Sequence, residues 1–134
     1  MKVVFDTNVL ISAFLTEGVC SKLLVRARKK QFHLTTCPFI LNEFQAILRG
    51  KLSATKGEIQ SAVQLINEAA QSVVHPEHTA VGTCRDADDD NVLDCLIASG
   101  ADYLVTGDAD LLALKTFRDK AIIRPRDFEM LFSD

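Results

Sequence analysis

Hydrophobic positions along the chain fall into alternating short runs and helical stripes. Lys2, Val3, Val4 and Phe5 (KVVF) form a compact apolar run, the pattern of a buried strand. Residues 8–14 and 19–31 have helical spacing and are broken near Glu17 and Gly18. A short strand is predicted over 32–35. Pro38 suits the first position of a helix that runs to about Leu48, with Gly50 just beyond it. Across 58–71, Ile59, Val63, Ile66 and Ala70 share one helical face. Residues 72–75 (SVVH) read as a strand stopped by Pro76. A helix over 90–99 ends at Gly100, a strand follows over 102–106 (DYLVT), and Leu111 and Leu112 sit in a short helix. Residues 121–123 form a last strand and Pro125 opens a terminal helix. Strands alternating with helices mean an α/β fold with a mostly parallel sheet.

A chain of 134 residues predicts one domain spanning 1–134, with no linker or repeat. No apolar run approaches the roughly 20 residues of a membrane span. Asp6 interrupts the N-terminal run too early for a secretory signal, so a cytoplasmic protein with no membrane role is expected. Cys20, Cys37, Cys84 and Cys95 form no C-x-x-C pair, so zinc is not indicated and reduced core thiols are expected.

The net charge of −3 does not advertise a nucleic-acid binder. The charge is unevenly distributed, however. Lys22, Arg26, Lys29 and Lys30 lie within an arc of about 100° on one helix and are candidate RNA-phosphate contacts, unless they are simply a solvated face. Acids crowd the stretch CRDADDDNVLDC, from Cys84 to Cys95. Two carboxylates about 4 Å apart repel by about 4 kcal/mol at a surface-like dielectric. Water, a helix N-terminus or a bound cation must offset that.

Position relative to the strands sorts these acids. Ligands of open parallel sheets bind beyond the carboxyl ends of the strands. Asp6 follows the first strand directly and Asp108 follows the YLVT strand, so both belong at that edge. Asp102 begins its strand and belongs at the opposite edge. At about 100° per residue, Glu43 falls inside the apolar arc of Ile40, Phe44, Ile47 and Leu48. A carboxylate aimed there is costly unless paired or bound to metal. Asp90 and Asp94 are one turn apart and share a face, whereas Asp88 and Asp89 suit capping of a helix start. An EF-hand loop fails, because Asn91 and Ile97 stand where Gly and Glu are needed.

FDTNVLISA at 5–13, the helical Glu43 in LNEFQAIL, DADDDNVLDCLIASGADYLVTGDADLL at 86–112 and IIRPRDF at 122–128 together resemble a PIN domain. Within that superfamily the chain is most similar to toxin components of toxin–antitoxin systems related to VapC. The resemblance implies a three-layer α/β/α sandwich with about five strands and a Mg²⁺- or Mn²⁺-dependent ribonuclease. It implies Asp6, Glu43, Asp90 and Asp108 as catalytic acids, with metal held by Asp6, Asp90 and Asp108. Asn8, Thr106, Asp94 and Asp110 would support them. Asp90 is chosen by its distance from Thr106 and Asp108, although the surplus acids leave Asp89 and Asp94 open for that role. Implied partners are an RNA substrate, an antitoxin protein and a second copy in a homodimer. Two alternatives stay open: a partner-binding module with little activity, and a housekeeping RNA-processing nuclease.

Overall fold

The structure, a computed structural model, describes residues 1–133. Its elements are β1 (Lys2–Phe5), α1 (Thr7–Leu15), α2 (Val19–Arg28), β2 (His33–Thr36), α3 (Pro38–Gly50), α4 (Lys56–Ala69), β3 (Ala70–Val73), α5 (Ala87–Ser99), β4 (Tyr103–Val105), α6 (Ala109–Leu114), β5 (Thr116–Phe117), β6 (Lys120–Ile123) and α7 (Pro125–Glu129). The six strands of the described residues form one sheet in the order β3-β2-β1-β4-β6-β5. All neighbours are parallel except β5 and β6.

This strand order explains where the site lies. From β1 the chain first steps to β2 and β3, then returns to β4 and β6 on the other side of β1. Right-handed crossovers put α1 to α4 on one face and α5 and α6 on the other. The result is the expected three-layer sandwich. Chains leave β1 and β4 toward opposite faces, which opens a crevice between their carboxyl ends. The core that holds the strands is apolar on both sides, with Val3, Val4, Leu34, Leu104 and Val105 all buried. Phe32 and Phe128 pack edge to face at 5.2 Å, tying the terminal helix to the sheet.

Several boundaries shift from the sequence expectation. Helix α5 starts at Ala87, three residues early, with Asp86 as its N-cap. Gly50 ends α3 from within the helix. Strand β3 begins at Ala70, two residues early. The two-residue β5 is too short to leave an alternation signal. Gly100 ends α5 as anticipated, at φ 65. Cys37 and Cys95 are buried in the core and no cysteine of the described residues is in a disulfide.

Candidate metal centre

Two strand ends build the floor of the site. Asp6 follows β1 and caps α1: its Oδ1 accepts from the Thr7 amide at 2.7 Å. The Thr106 hydroxyl donates to Asp6 Oδ2 at 2.7 Å, and the Asp108 amide donates to that hydroxyl at 3.0 Å. Asp108 in turn caps α6, accepting from the Leu111 amide at 2.9 Å. Aspartate suits both places because its short carboxylate satisfies free amides at a helix N-terminus. Thr106 is fully buried and cross-links the two ends. Burial pushes the Asp6 carboxyl above the usual carboxylate range; Glu43 and Asp108 push the same way, against the bonds from Thr106 and Thr7.

Helices α3 and α5 form the walls. Glu43, Ile47 and Lys51 recur every four residues and so line one stripe of α3. Asp86, Asp88, Asp89 and Val92 line the α5 side, and Asn8 completes a cleft of about 220 Å³. Six carboxylates and one ammonium therefore face one small space. Asp89 carries the strain of that arrangement. Its carboxyl is pushed up to about 7, first by burial, then by Asp108, Asp86, Asp6 and Asp110. Its side chain accepts no hydrogen bond among the described residues. Asp89, Asp108 and Asp110 each offer an oxygen within 4.8 Å of the others'. The cleft is lined by neither histidine nor cysteine. An all-oxygen anionic set suits a hard divalent cation such as Mg²⁺ or Mn²⁺.

Asp90 does not face this cleft. It is buried, and its two oxygens accept from the amides of Gly82 at 2.9 Å and Cys84 at 2.8 Å. Asp94, one turn on, accepts from the amides of Thr79 at 2.9 Å and Ala80 at 2.8 Å. The shared face of Asp90 and Asp94 was legible in the sequence, but it grips the loop 79–84. With α5 starting at Ala87, Asp89 is turned about 100° from that face and lines the cleft instead. Asp110 is held at 2.7 and 2.9 Å by the Arg85 guanidinium and is not among the residues lining the cleft.

The basic arc on α2 is not part of the site. Arg26 is buried, and its Nε bonds Glu129 at 2.9 and 3.1 Å while its guanidinium covers the Phe132 ring. Lys22 pairs with the same Glu129 at 3.4 Å, which holds the Glu129 carboxyl below its ordinary range, chiefly through Arg26. Lys29 and Lys30 precede β2, whose first residue donates to the Met1 carbonyl, so they lie at the sheet edge opposite the acids. Asp102 is also at that opposite edge, as expected, accepting from the Lys2 amide at 3.0 Å. The cation that lines the cleft is Lys51, which sequence reasoning missed; its spacing of eight from Glu43 was the available signal.

Comparison with known proteins gives the family and the fold. The profile of the PIN domain family matches residues 2–110. Over 118 residues the chain is 32% identical to MJ1680 of Methanocaldococcus jannaschii, which spans 86% of this chain and 76% of the relative. The fold is similar to that of a chain in the crystal structure of VapBC2 from Rickettsia felis bound to a DNA fragment from its promoter. That likeness has a TM-score of 0.65 at 16% identity and covers 92% of this chain and 98% of the other. No single described helix is long and apolar enough to cross a membrane.

Proposed function

The chain belongs to the PIN domain family, and from that premise we propose that it is a metal-dependent endoribonuclease, the toxin of a cytoplasmic toxin–antitoxin pair. The observation that carries the reading is the cleft itself. Six carboxylates converge there, and among the described residues the Asp89 side chain has neither a hydrogen-bond donor nor an ion-pair partner. Asp6, Asp89 and Asp108 would hold Mg²⁺ or Mn²⁺, and Glu43 lines the same cleft.

The bound cation would supply positive charge at the phosphodiester and lower the pKa of water. The remaining roles fall to the chain. Thr106 and the Thr7 amide fix the Asp6 carboxylate in one orientation. The Leu111 amide does the same for one oxygen of Asp108. Lys51 offsets part of the charge that would otherwise repel a polyanion, and Asn8 offers a neutral polar contact. No nucleophilic side chain is required, because preorganised charge and positioning carry this kind of transfer. In-line attack by water would leave a 5′-phosphate and a 3′-hydroxyl.

The toxin assignment is favoured by the named assembly of the R. felis neighbour, VapBC2. A second reading, a partner-docking module, is favoured by one observation. Between α3 and α4 a cleft of about 550 Å³ has Ala54, Ile59 and Val63 along it, with Arg49 and Lys56 also lining it. The deciding experiment is cleavage of a mixed RNA pool by purified protein with Mg²⁺, Mn²⁺ or EDTA, beside Asp6→Asn and Asp89→Asn. Metal-dependent cleavage lost in both variants is the expected result. A wild type that neither cleaves RNA nor binds either metal by calorimetry leaves the docking module.

A further inference from the structure

The acidic cleft creates a difficulty for its own proposed substrate. RNA carries one negative charge per phosphate, and the chain is itself net negative. Local cations at the same sheet edge must therefore hold the strand, and the basic arc of α2 lies elsewhere.

The topology brings a second set of cations to the correct edge. Strand β6 runs parallel to β4, with Ile123 beside Val105. The Thr106 amide donates to the Ile123 carbonyl at 3.0 Å. Arg124 therefore emerges beside the Thr106–Asp108 segment. Arg124 and Arg126 line a cleft of about 490 Å³ with Val19, Pro125 and Asp127. Both arginines are exposed, and neither side chain has an ion pair or hydrogen bond among the described residues. Two guanidiniums against the single Asp127 carboxylate leave this cleft net positive. Its strand stands two interstrand spacings from the strand of Asp6, about 10 Å. That is beyond direct contact with a phosphate at the acids but within reach of one further along the same chain.

We propose that Arg124 and Arg126 are positioning residues that grip backbone phosphates of single-stranded RNA beside the scissile one. This rests on the ribonuclease reading above. Guanidiniums bind phosphate through paired N–H groups and contact the backbone without reading sequence. Lys51 lies on the α3 side of the acids, so the strand would cross the acidic cleft between cations on both sides.

The test compares wild type, the double variant Arg124→Ala/Arg126→Ala and the double variant Arg124→Lys/Arg126→Lys on a fluorescent single-stranded RNA with Mn²⁺. The alanine pair should raise KM about tenfold, with a much smaller change in kcat. In an Asp89→Asn background, anisotropy should show the slope of log K against log salt falling by about 1.4, the value for two lost phosphate contacts on a single strand. The lysine pair should restore most of both. Wild type that cleaves while the alanine pair keeps its KM and salt slope overturns this inference alone. Wild type that neither cleaves nor binds RNA overturns the ribonuclease reading and this inference with it.

Discussion

Helix α5 presents carboxylates to two places, and they behave oppositely. On one side Asp90 and Asp94 are both buried, and each accepts two backbone amides of the loop 79–84. On the other side Asp89 is only half-buried, yet it meets four carboxylates and is pushed up to about 7. Within this helix, depth of burial therefore does not mark the acid whose charge is least stabilised. The supply of donors separates the acids of α5: Asp90 and Asp94 each have two amides, and Asp89 has only other carboxylates around it, a repulsion that a bound cation would relieve.

The largest test of that contrast exchanges the two behaviours by mutation. Asp89→Asn should cut cleavage by about 10²–10³-fold, the size of losing one preorganised charged group. It should also stabilise the metal-free fold by about 1 kcal/mol, after allowing for solvent screening of a half-exposed group. Asp94→Ala should do the reverse to the fold. It strands the Thr79 and Ala80 amides and should cost about 3 kcal/mol, visible as a Tm lower by about 10 °C. Urea melts of both variants without metal decide it. Stabilisation by Asp94→Ala, or a weaker fold in Asp89→Asn, would break the comparison.

A smaller effect follows from pH. The folded chain keeps the Asp89 proton up to about pH 7, whereas the ordinary value is 3.8. Across that window the folded state binds more protons, so metal-free stability falls as pH rises through it. The raised Asp6 carboxyl acts in the same direction. Between pH 5.5 and 8 the metal-free wild type should lose about 1 kcal/mol that Asp89→Asn does not lose. Cation binding needs the deprotonated acids, so Mn²⁺ should raise Tm more at pH 8 than at pH 6. A wild-type stability independent of pH over this range would remove Asp89 from its assigned state.

These distinctions show which physics the sequence carries. Asp6 and Asp108 could be placed because strand ends in a parallel sheet share an edge. Glu43 could be placed because the apolar residues around it fix the rotation of α3. The run from Asp88 to Asp90 offers no such contrast, since consecutive acids leave the helix phase unmarked. What selects Asp90 for the clamp is the loop 79–84 returning to meet it, a contact set by the fold rather than by local pattern. The basic arc of α2 misled for the same reason. The residue that engages Lys22 and Arg26 is Glu129, 103 positions beyond Arg26 in the chain. Arg124 leaves no local signal either, because its place beside Thr106 is set by the register of β6 against β4.

Asp110 stands between the two behaviours and gives the smallest predicted effect. Its oxygen is close enough to those of Asp89 and Asp108 to join a ligand set. It nevertheless has a donor, the Arg85 guanidinium, in a pair that is largely exposed. An acid whose charge is already paired with a guanidinium should act as an electrostatic neighbour and not as a ligand. A unit charge about 6 Å from a divalent cation in water-like surroundings interacts by about 1.4 kcal/mol, of which screening at about 0.1 M salt leaves roughly half. Arg85→Ala should therefore tighten Mn²⁺ binding about threefold at about 0.1 M salt, and Asp110→Asn should loosen it by about the same factor. Calorimetry on the double variant should return close to wild type, and the differences should shrink at about 0.5 M salt, where screening is strong. Folding stability should change by under about 1 kcal/mol in each case, as for any exposed pair. A loss of affinity beyond about tenfold in Asp110→Asn alone exceeds what a screened neighbour can supply. That result would move Asp110 into the ligand set and make its bond to Arg85 a competitor of the cation.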